Sequence, residues 1–482
     1  MASLRKIGTA FALASVFPVT LALEVCTEIQ RAVSSASAVY YPGSRNYTAD
    51  NAHWVASSIQ SSACTVEPAT AADVSTIIKL LGKTKTPFAV KGGGHATNPG
   101  WSSTSGVQIA MTRFNTVNYD KKSGTIAIGS GMIWDDVYAE LEPHGVIAAG
   151  GRVPGVGVAG FTLGGGYNWL SNKVGLTVDT VLGYQLVKPN GDIVSVTATS
   201  NSDLFFALKG GYNNFGIVTQ FTFKAFAVGQ VWGGLLTYGA AQAAAFNAAF
   251  ASFAVNTTDP NAAIVSGFAL DASGKPIVAN IMFYNGPSPP AGVFDKFLAI
   301  KNISSDISTR SFHSLVEAAP QDLPTGTRGY FDTLSFFEYT PPIINAILNE
   351  TTFWGARLGA FNASVGYHLE PFLKTLYTHN TTATAFPFLR SQRFVPLQLQ
   401  FTWNSPKYDT IMREFMEQSA AHLTNVANQN GQPIQELPLY PNYALFSSPA
   451  ERIYGSNLPR LKAIKAQVDP QNVMGLAQGW KV

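Results

Sequence analysis

Lys91-Gly92-Gly93-Gly94-His95 follows the short apolar run Phe88-Ala89-Val90, which reads as a strand feeding directly into a glycine loop. Glycines lack a Cβ and can take positive φ, and their successive N–H groups can form a concavity that accepts a phosphate. The histidine at the end of the loop sets a nucleophilic imidazole beside that concavity. The pairing suggests a flavin held by a covalent bond. The competing reading is a glycine turn followed by an ordinary surface histidine, and the rest of the chain has to separate the two.

At 482 residues, with 46% hydrophobic and 13% charged side chains, the chain is long enough to form two or three packed cores. A net charge of +3 with no long basic run argues against a nucleic-acid binder. Arg5 and Lys6 precede an uncharged stretch over residues 7–23, and Thr20-Leu21-Ala22 presents small residues where a signal peptidase reads. Residues 1–22 are therefore expected to be a secretion signal. Gly8, Pro18 and the hydroxyls of Thr9, Ser15 and Thr20 make a poor membrane span, and no second apolar run of spanning length follows. The two cysteines, Cys26 and Cys64, fit one disulfide made in an oxidising compartment, with two buried thiols as the alternative. Sequons at Asn46, Asn256, Asn302, Asn349, Asn362 and Asn380 add to the expectation of secretion, because such sites are glycosylated only in a lumen.

Thr70 is expected to cap a helix that places Val74, Ile77, Ile78 and Leu81 on one face and stops at Gly82. Strands are expected at 88–90, 107–111 and 125–128, then a helix over 134–141 and a buried run over 146–149. Runs at 184–187 and 193–196 flank Pro189-Asn190-Gly191-Asp192, whose Asn-Gly step is a hairpin signal. A β-branched run over 217–223 closes this first unit near residue 228. From 229 to 439 the pattern changes to an Ala-rich helix (240–254), strand-like runs (277–284 and 397–403) and a helix over 408–423, a second α+β domain. The segment 440–482 is too short to fold alone and is expected to pack back on the first domain or the cleft between the two.

Several motifs are set aside. Gly82-Lys83-Thr84 resembles the end of a P-loop, but position 77, where that motif needs glycine, is Ile77. Gly155-Val156-Gly157-Val158-Ala159-Gly160 matches G-x-G-x-x-G, with Asp179 about twenty residues on. Pro154 before it and the triplet Gly164-Gly165-Gly166 after it speak against a Rossmann turn. No H-x-x-x-H pair or C-x-x-C cluster offers a metal ligand set, and no G-x-S-x-G elbow supports a serine hydrolase.

In order, the chain carries KGGGH (91–95), GGRVPGVGVAGFTLGGG (150–166), GLTVDTVLG (175–183) and DLFFALKGGYNNFGIVT (203–219). This series resembles the FAD-binding domain of the vanillyl-alcohol oxidase and p-cresol methylhydroxylase superfamily. The C-terminal pieces Tyr440-Pro441-Asn442-Tyr443 and Tyr454-Gly455-Ser456-Asn457, with Arg460-Leu461 and Asp469-Pro470, narrow the resemblance to the berberine-bridge-enzyme-like oxidases. The fold it implies is α+β: a two-part FAD-binding domain of the p-cresol methylhydroxylase type (23–228), and an α+β substrate domain with an antiparallel sheet.

The resemblance implies that His95 carries FAD through the flavin's 8α carbon. Many relatives add a second bond from a cysteine two residues after a paired glycine; here Gly150-Gly151-Arg152 is followed by Val153, so a single histidyl link is expected. It further implies cofactor contacts from Lys91, Gly92, Gly93, Gly94, Ala96, Thr97 and Ser102 in the first loop. The second loop would supply Gly151, Val153, Val156, Gly160, Gly164, Gly165 and Gly166. Gly216, Ile217, Val218 and Asn442 complete the set, with structural glycine turns as the alternative for the outer glycines. Val156 aligns with the position whose small side chain leaves room for dioxygen in oxidase members. Tyr443 aligns with the catalytic base of relatives that share the Tyr-x-Asn-Tyr block. A phenol titrates near pH 10, so acting as a base at lower pH requires a neighbouring cation or strong donors.

The activity implied is oxidation of a small-molecule alcohol with O2 as acceptor and H2O2 as product, by a secreted monomer with no membrane segment after signal cleavage. An oxidative or redox-neutral cyclase on the same fold and a non-catalytic flavin-binding protein are the alternatives. The alternation in Leu397-Gln398-Leu399-Gln400-Phe401 could aim Gln398 and Gln400 at a polar ligand or leave them on an exposed edge.

Overall fold

The computed structural model describes residues 19–271, 273–319, 323–380 and 382–482. Most of the expected signal lies outside these residues. Its last four positions open the helix Val19–Ala32, so the expected cleavage point after Ala22 falls inside a helical turn.

That helix is stapled to the first sheet by a Cys26–Cys64 disulfide. The sheet has four strands in the order Ala38–Tyr40, Cys64–Glu67, Val107–Ala110 and Phe88–Lys91, of which the last three run parallel. A helix, Ala71–Thr84, crosses over from Cys64–Glu67 to Phe88–Lys91, the two parallel strands that flank Val107–Ala110. Thr70 caps it as expected, its hydroxyl oxygen accepting the Asp73 N–H at 3.1 Å. The helix nevertheless runs past Gly82 and ends with Lys85 in the left-handed region at φ 54°. Gly82 is where the helix meets the C-terminal segment: a Cβ there would lie 3.1 Å from a methyl of Val473.

A second sheet has five antiparallel strands in the order Val117–Asp120, Thr125–Gly129, Ile217–Lys224, Val181–Val187 and Ile193–Thr197. The last two form the expected hairpin. Gly191 takes φ 85° in its turn and donates to the Lys188 carbonyl at 2.8 Å.

The third sheet has eight strands, all antiparallel, led through its centre by Val231–Gly239, Pro276–Tyr284, Ala262–Leu270, Ser364–Leu369, Val395–Trp403 and Arg328–Phe336. Period-two alternation divides its side chains between two environments. Leu236, Phe268, Val278, Met282, Tyr367, Leu397 and Leu399 point outward into a core shared with the helices Ala243–Asn256, Pro341–Leu358 and Asp409–Gln429. The intervening residues, among them Leu235, Val265, Ile281, His368, Gln398 and Gln400, face the glycine loops. The segment after residue 440 returns to the first two sheets, where Lys465 Nζ donates to the Asn214 carbonyl at 3.1 Å and Asn214 Nδ2 to the Trp480 carbonyl at 2.7 Å.

Candidate active site

One cavity runs between the glycine loops and the inner face of the large sheet. His95, Gly92, Gly93, Gly94, Ala96, Thr97 and Ser102 line it from the first loop, and Val153, Val156 and Gly160 from the second. Gly216, Ile217, Val218, Asn442 and Tyr443 complete the predicted residues that reach it, and Gln398 and Gln400 line the opposite wall.

Five predicted cofactor contacts do not line the cavity. Lys91 turns its ammonium back to cap the helix Arg45–Asn51, donating to the carbonyls of Ala49 (2.9 Å) and Ala52 (3.0 Å). Gly151 packs under the Trp134 indole, Gly164 against Asn442 and Tyr212, Gly165 against Phe386 and Gly166 against Thr177. Their missing side chains make room for protein, which is the structural alternative weighed for the outer glycines.

The first loop fits a phosphate-bearing cofactor on local grounds. Among the described residues, none of the backbone N–H groups of Gly93, Gly94, His95, Ala96 and Thr97 donates a hydrogen bond within the protein. Five successive unspent donors beside a cavity form an anion-binding concavity. The two loops also press together: a Cβ on Gly93 would lie 2.6 Å from the backbone of Gly157. His95 is half-buried with a buried Nε2 that has no hydrogen-bond partner among the described residues, and desolvation pushes its pKa down to about 4. A neutral imidazole with an uncommitted nitrogen has the lone pair that covalent attachment requires. Val153 occupies the second-link position, and both cysteines are consumed by the disulfide, so no thiol is available for another bond.

At the other end of the cavity, Tyr443 belongs to a buried charged triad that sequence reasoning did not find. Its hydroxyl donates to Glu370 Oε1 at 2.8 Å and accepts from Arg152 Nη2 at 3.0 Å, while Arg152 Nη1 pairs with Glu370 Oε2 at 2.8 Å. Burial, and then the Glu370 carboxylate, push the Tyr443 phenol well above its ordinary range, with Arg152 opposing. Burial is the largest single influence and disfavours the Arg152 charge, but Glu370, Tyr443 and Tyr440 together outweigh it and raise that pKa. Tyr440 and Asn442 act as braces: the Asn442 amide donates to the Tyr440 hydroxyl at 2.7 Å and to the Phe161 carbonyl at 3.0 Å. Phe331 joins the two ends, its ring centroid 6.5 Å from that of His95 and 6.1 Å from that of Tyr443.

Comparison with known proteins agrees with this architecture. An FAD binding domain model matches residues 62–197, and a berberine and berberine-like model matches residues 439–479. The chain is 29% identical over 464 residues to an FAD-dependent monooxygenase of Aspergillus calidoustus, covering 93% of this chain and 88% of that one. Its backbone superposes on the carbohydrate oxidase of Microdochium nivale with a TM-score of 0.78 at 20% identity, covering 95% and 99% of the two chains. With 6-hydroxy-D-nicotine oxidase from Arthrobacter nicotinovorans the TM-score is 0.77 at 20% identity, covering 93% and 98%. The fold and cofactor domain define an FAD-dependent oxidoreductase of the vanillyl-alcohol oxidase type. Within that class, the chain pairs the FAD binding domain with a berberine-like C-terminal segment at residues 439–479.

Proposed function

We propose that this is a secreted FAD oxidase that holds its flavin through one bond to His95 and oxidises a hydroxyl-bearing small molecule, with O2 as acceptor and H2O2 as product. The observation that carries this reading is the Tyr443–Glu370–Arg152 triad, whose Tyr443 and Arg152 line the same cavity as the neutral His95. When bound, the flavin supplies a hydride acceptor and a route for two electrons to dioxygen.

The protein's part is proton handling and orientation. Tyr443 oxygen takes the substrate's hydroxyl proton as its own proton passes to Glu370, so the phenol never has to exist as an isolated phenolate in a buried site. Arg152 holds both partners in one fork and balances the charge as it moves. His368, Gln398 and Gln400 offer polar groups to substrate, while Leu235, Val265 and Ile281 offer an apolar floor. The Cys26–Cys64 disulfide and the sequons support the secretory assignment.

Two measurements test the reading. Acid-precipitated wild-type protein should retain the yellow flavin band, and His95→Ala should release it; retention in the variant overturns the linkage. A peroxide-coupled screen of sugars, small alcohols and hydroxylated ring compounds should find substrates that yield one H2O2 per turnover. Relatives such as that of A. calidoustus are named monooxygenases, so label from 18O2 appearing in the product would replace the oxidase reading with oxygen transfer.

A further inference from the structure

We propose that Trp54 is a positioning residue for flavin attachment: its indole holds the His95 imidazole in the orientation in which a ring nitrogen meets the cofactor. This rests on the reading that His95 carries the flavin. The two rings stack with centroids 4.5 Å apart and planes 12° from parallel, a face-to-face arrangement that fixes the tilt of the imidazole. Phe331 closes the same group, its ring centroid 5.4 Å from Trp54 and 6.5 Å from His95.

The backbone around Trp54 is pinned to the glycine loop at three points. Trp54 N–H donates to the Gly94 carbonyl at 3.0 Å. Lys91 Nζ ties the carbonyls of Ala49 and Ala52 to the root of the loop. His53, the preceding residue, bridges the Asn51 carbonyl at 2.8 Å and the Ser102 hydroxyl at 2.9 Å. A ring mounted on so constrained a segment is a fixed platform. Nε2 has no hydrogen-bond partner among the described residues and the ring's other contact is to its own backbone, so the Trp54 stack is what sets the tilt of the imidazole plane. The stack also helps to exclude water from His95, whose burial keeps it neutral.

Attachment joins an imidazole nitrogen to the flavin's 8α carbon. The methyl C–H and the imidazole N–H each give up a proton, and the two electrons pass to dioxygen as H2O2. Orientation of the nitrogen is therefore part of the barrier, and a freely turning ring reaches the reactive pose less often.

The test uses the full chain produced with FAD, comparing wild type with Trp54→Phe and Trp54→Leu. Covalent flavin is read as the fraction retained on acid precipitation over time, and non-covalent flavin as the fraction released. Trp54→Leu keeps bulk but loses the aromatic face; it should retain FAD yet attach it about tenfold more slowly, the scale set by losing an aromatic pair. Trp54→Phe should restore attachment to near the wild-type rate. Attachment at the wild-type rate in Trp54→Leu, failure of Trp54→Phe to recover, or loss of non-covalent FAD from the leucine variant would each overturn the proposal. Absence of covalent flavin in the wild type would instead overturn the reading of His95 on which it rests.

Discussion

The Tyr443 hydroxyl gives its hydrogen bond to Glu370 across 2.8 Å, and the two are clasped by the guanidinium of Arg152. A phenol whose pKa is pushed well above its ordinary range by burial is protonated at any working pH. It serves as a base only if its proton has somewhere to go as the substrate's arrives, and Glu370 is that destination.

Glu370→Gln keeps the size and an acceptor oxygen but removes the proton sink. Flavin reduction under anaerobic conditions, with a substrate from the peroxide screen, should slow by about 10²–10⁴-fold, the range for loss of a general base. Tyr443→Phe should lose a similar factor, and the double variant little more, because the two act in one relay. Independent, multiplying losses would show that Glu370 acts by another route.

Arg152 is nearly enclosed and Glu370 is 1% exposed. Truncating the arginine in Arg152→Ala strands a buried carboxylate and should cost about 3–5 kcal/mol of stability. Replacing both partners, as Arg152→Met with Glu370→Met, should recover much of the melting temperature without recovering activity. A double variant as unstable as the single one would mean that the ion pair contributes packing rather than charge compensation.

Much of the scaffold was legible because its signals are local. The Asn190-Gly191 turn, the Thr70 cap and the alternation over Leu397–Phe401 each report on a few adjacent residues, and the structure forms all three. Gly82 misled as a helix stop because a tertiary contact with Val473, not helix termination, excludes a side chain there. Gly164, Gly165 and Gly166 are ambiguous in a related way: a glycine that makes room for Asn442, Phe386 or Thr177 reads in sequence like one that makes room for a phosphate. The triad was illegible for a different reason. Arg152 and Glu370 are 218 positions apart in the chain, on a loop of one domain and at the end of a strand of the other, and only closure of the large sheet over the loops joins them. Trp54 was missed because nothing in its local pattern announces that it stacks on His95.

The Cys26–Cys64 bond closes a loop of 38 positions and ties the first described helix to the sheet that carries the glycine loop. In the chain-entropy account such a loop contributes about 4 kcal/mol. Reduction, or Cys26→Ser with Cys64→Ser, should lower the apparent melting temperature measured by circular dichroism, and a rise in flavin fluorescence, reporting an opened glycine loop, should precede unfolding of the rest. Identical melting curves with and without reductant would remove the staple from the account of stability.

Asp332 provides a pH dependence with a defined sign. It is buried behind the catalytic segment, where its carboxylate accepts the N–H groups of Thr333 at 2.8 Å and Leu445 at 3.4 Å, the latter two residues beyond Tyr443. Burial, outweighing those two donors, pushes its pKa up to about 7 from 3.8. Between these values the folded chain holds a proton that the unfolded chain has released. Its stabilising contribution is full below the unfolded value and is lost as pH rises through about 7, a change of about 4 kcal/mol. Asp332→Asn keeps the acceptor oxygen for both N–H groups and cannot ionise. Its melting temperature should therefore draw progressively ahead of wild type from about pH 4 to about pH 7 and keep a constant lead above that, and curves that stay parallel between about pH 4 and about pH 7 would mean that Asp332 is already ionised in the native protein.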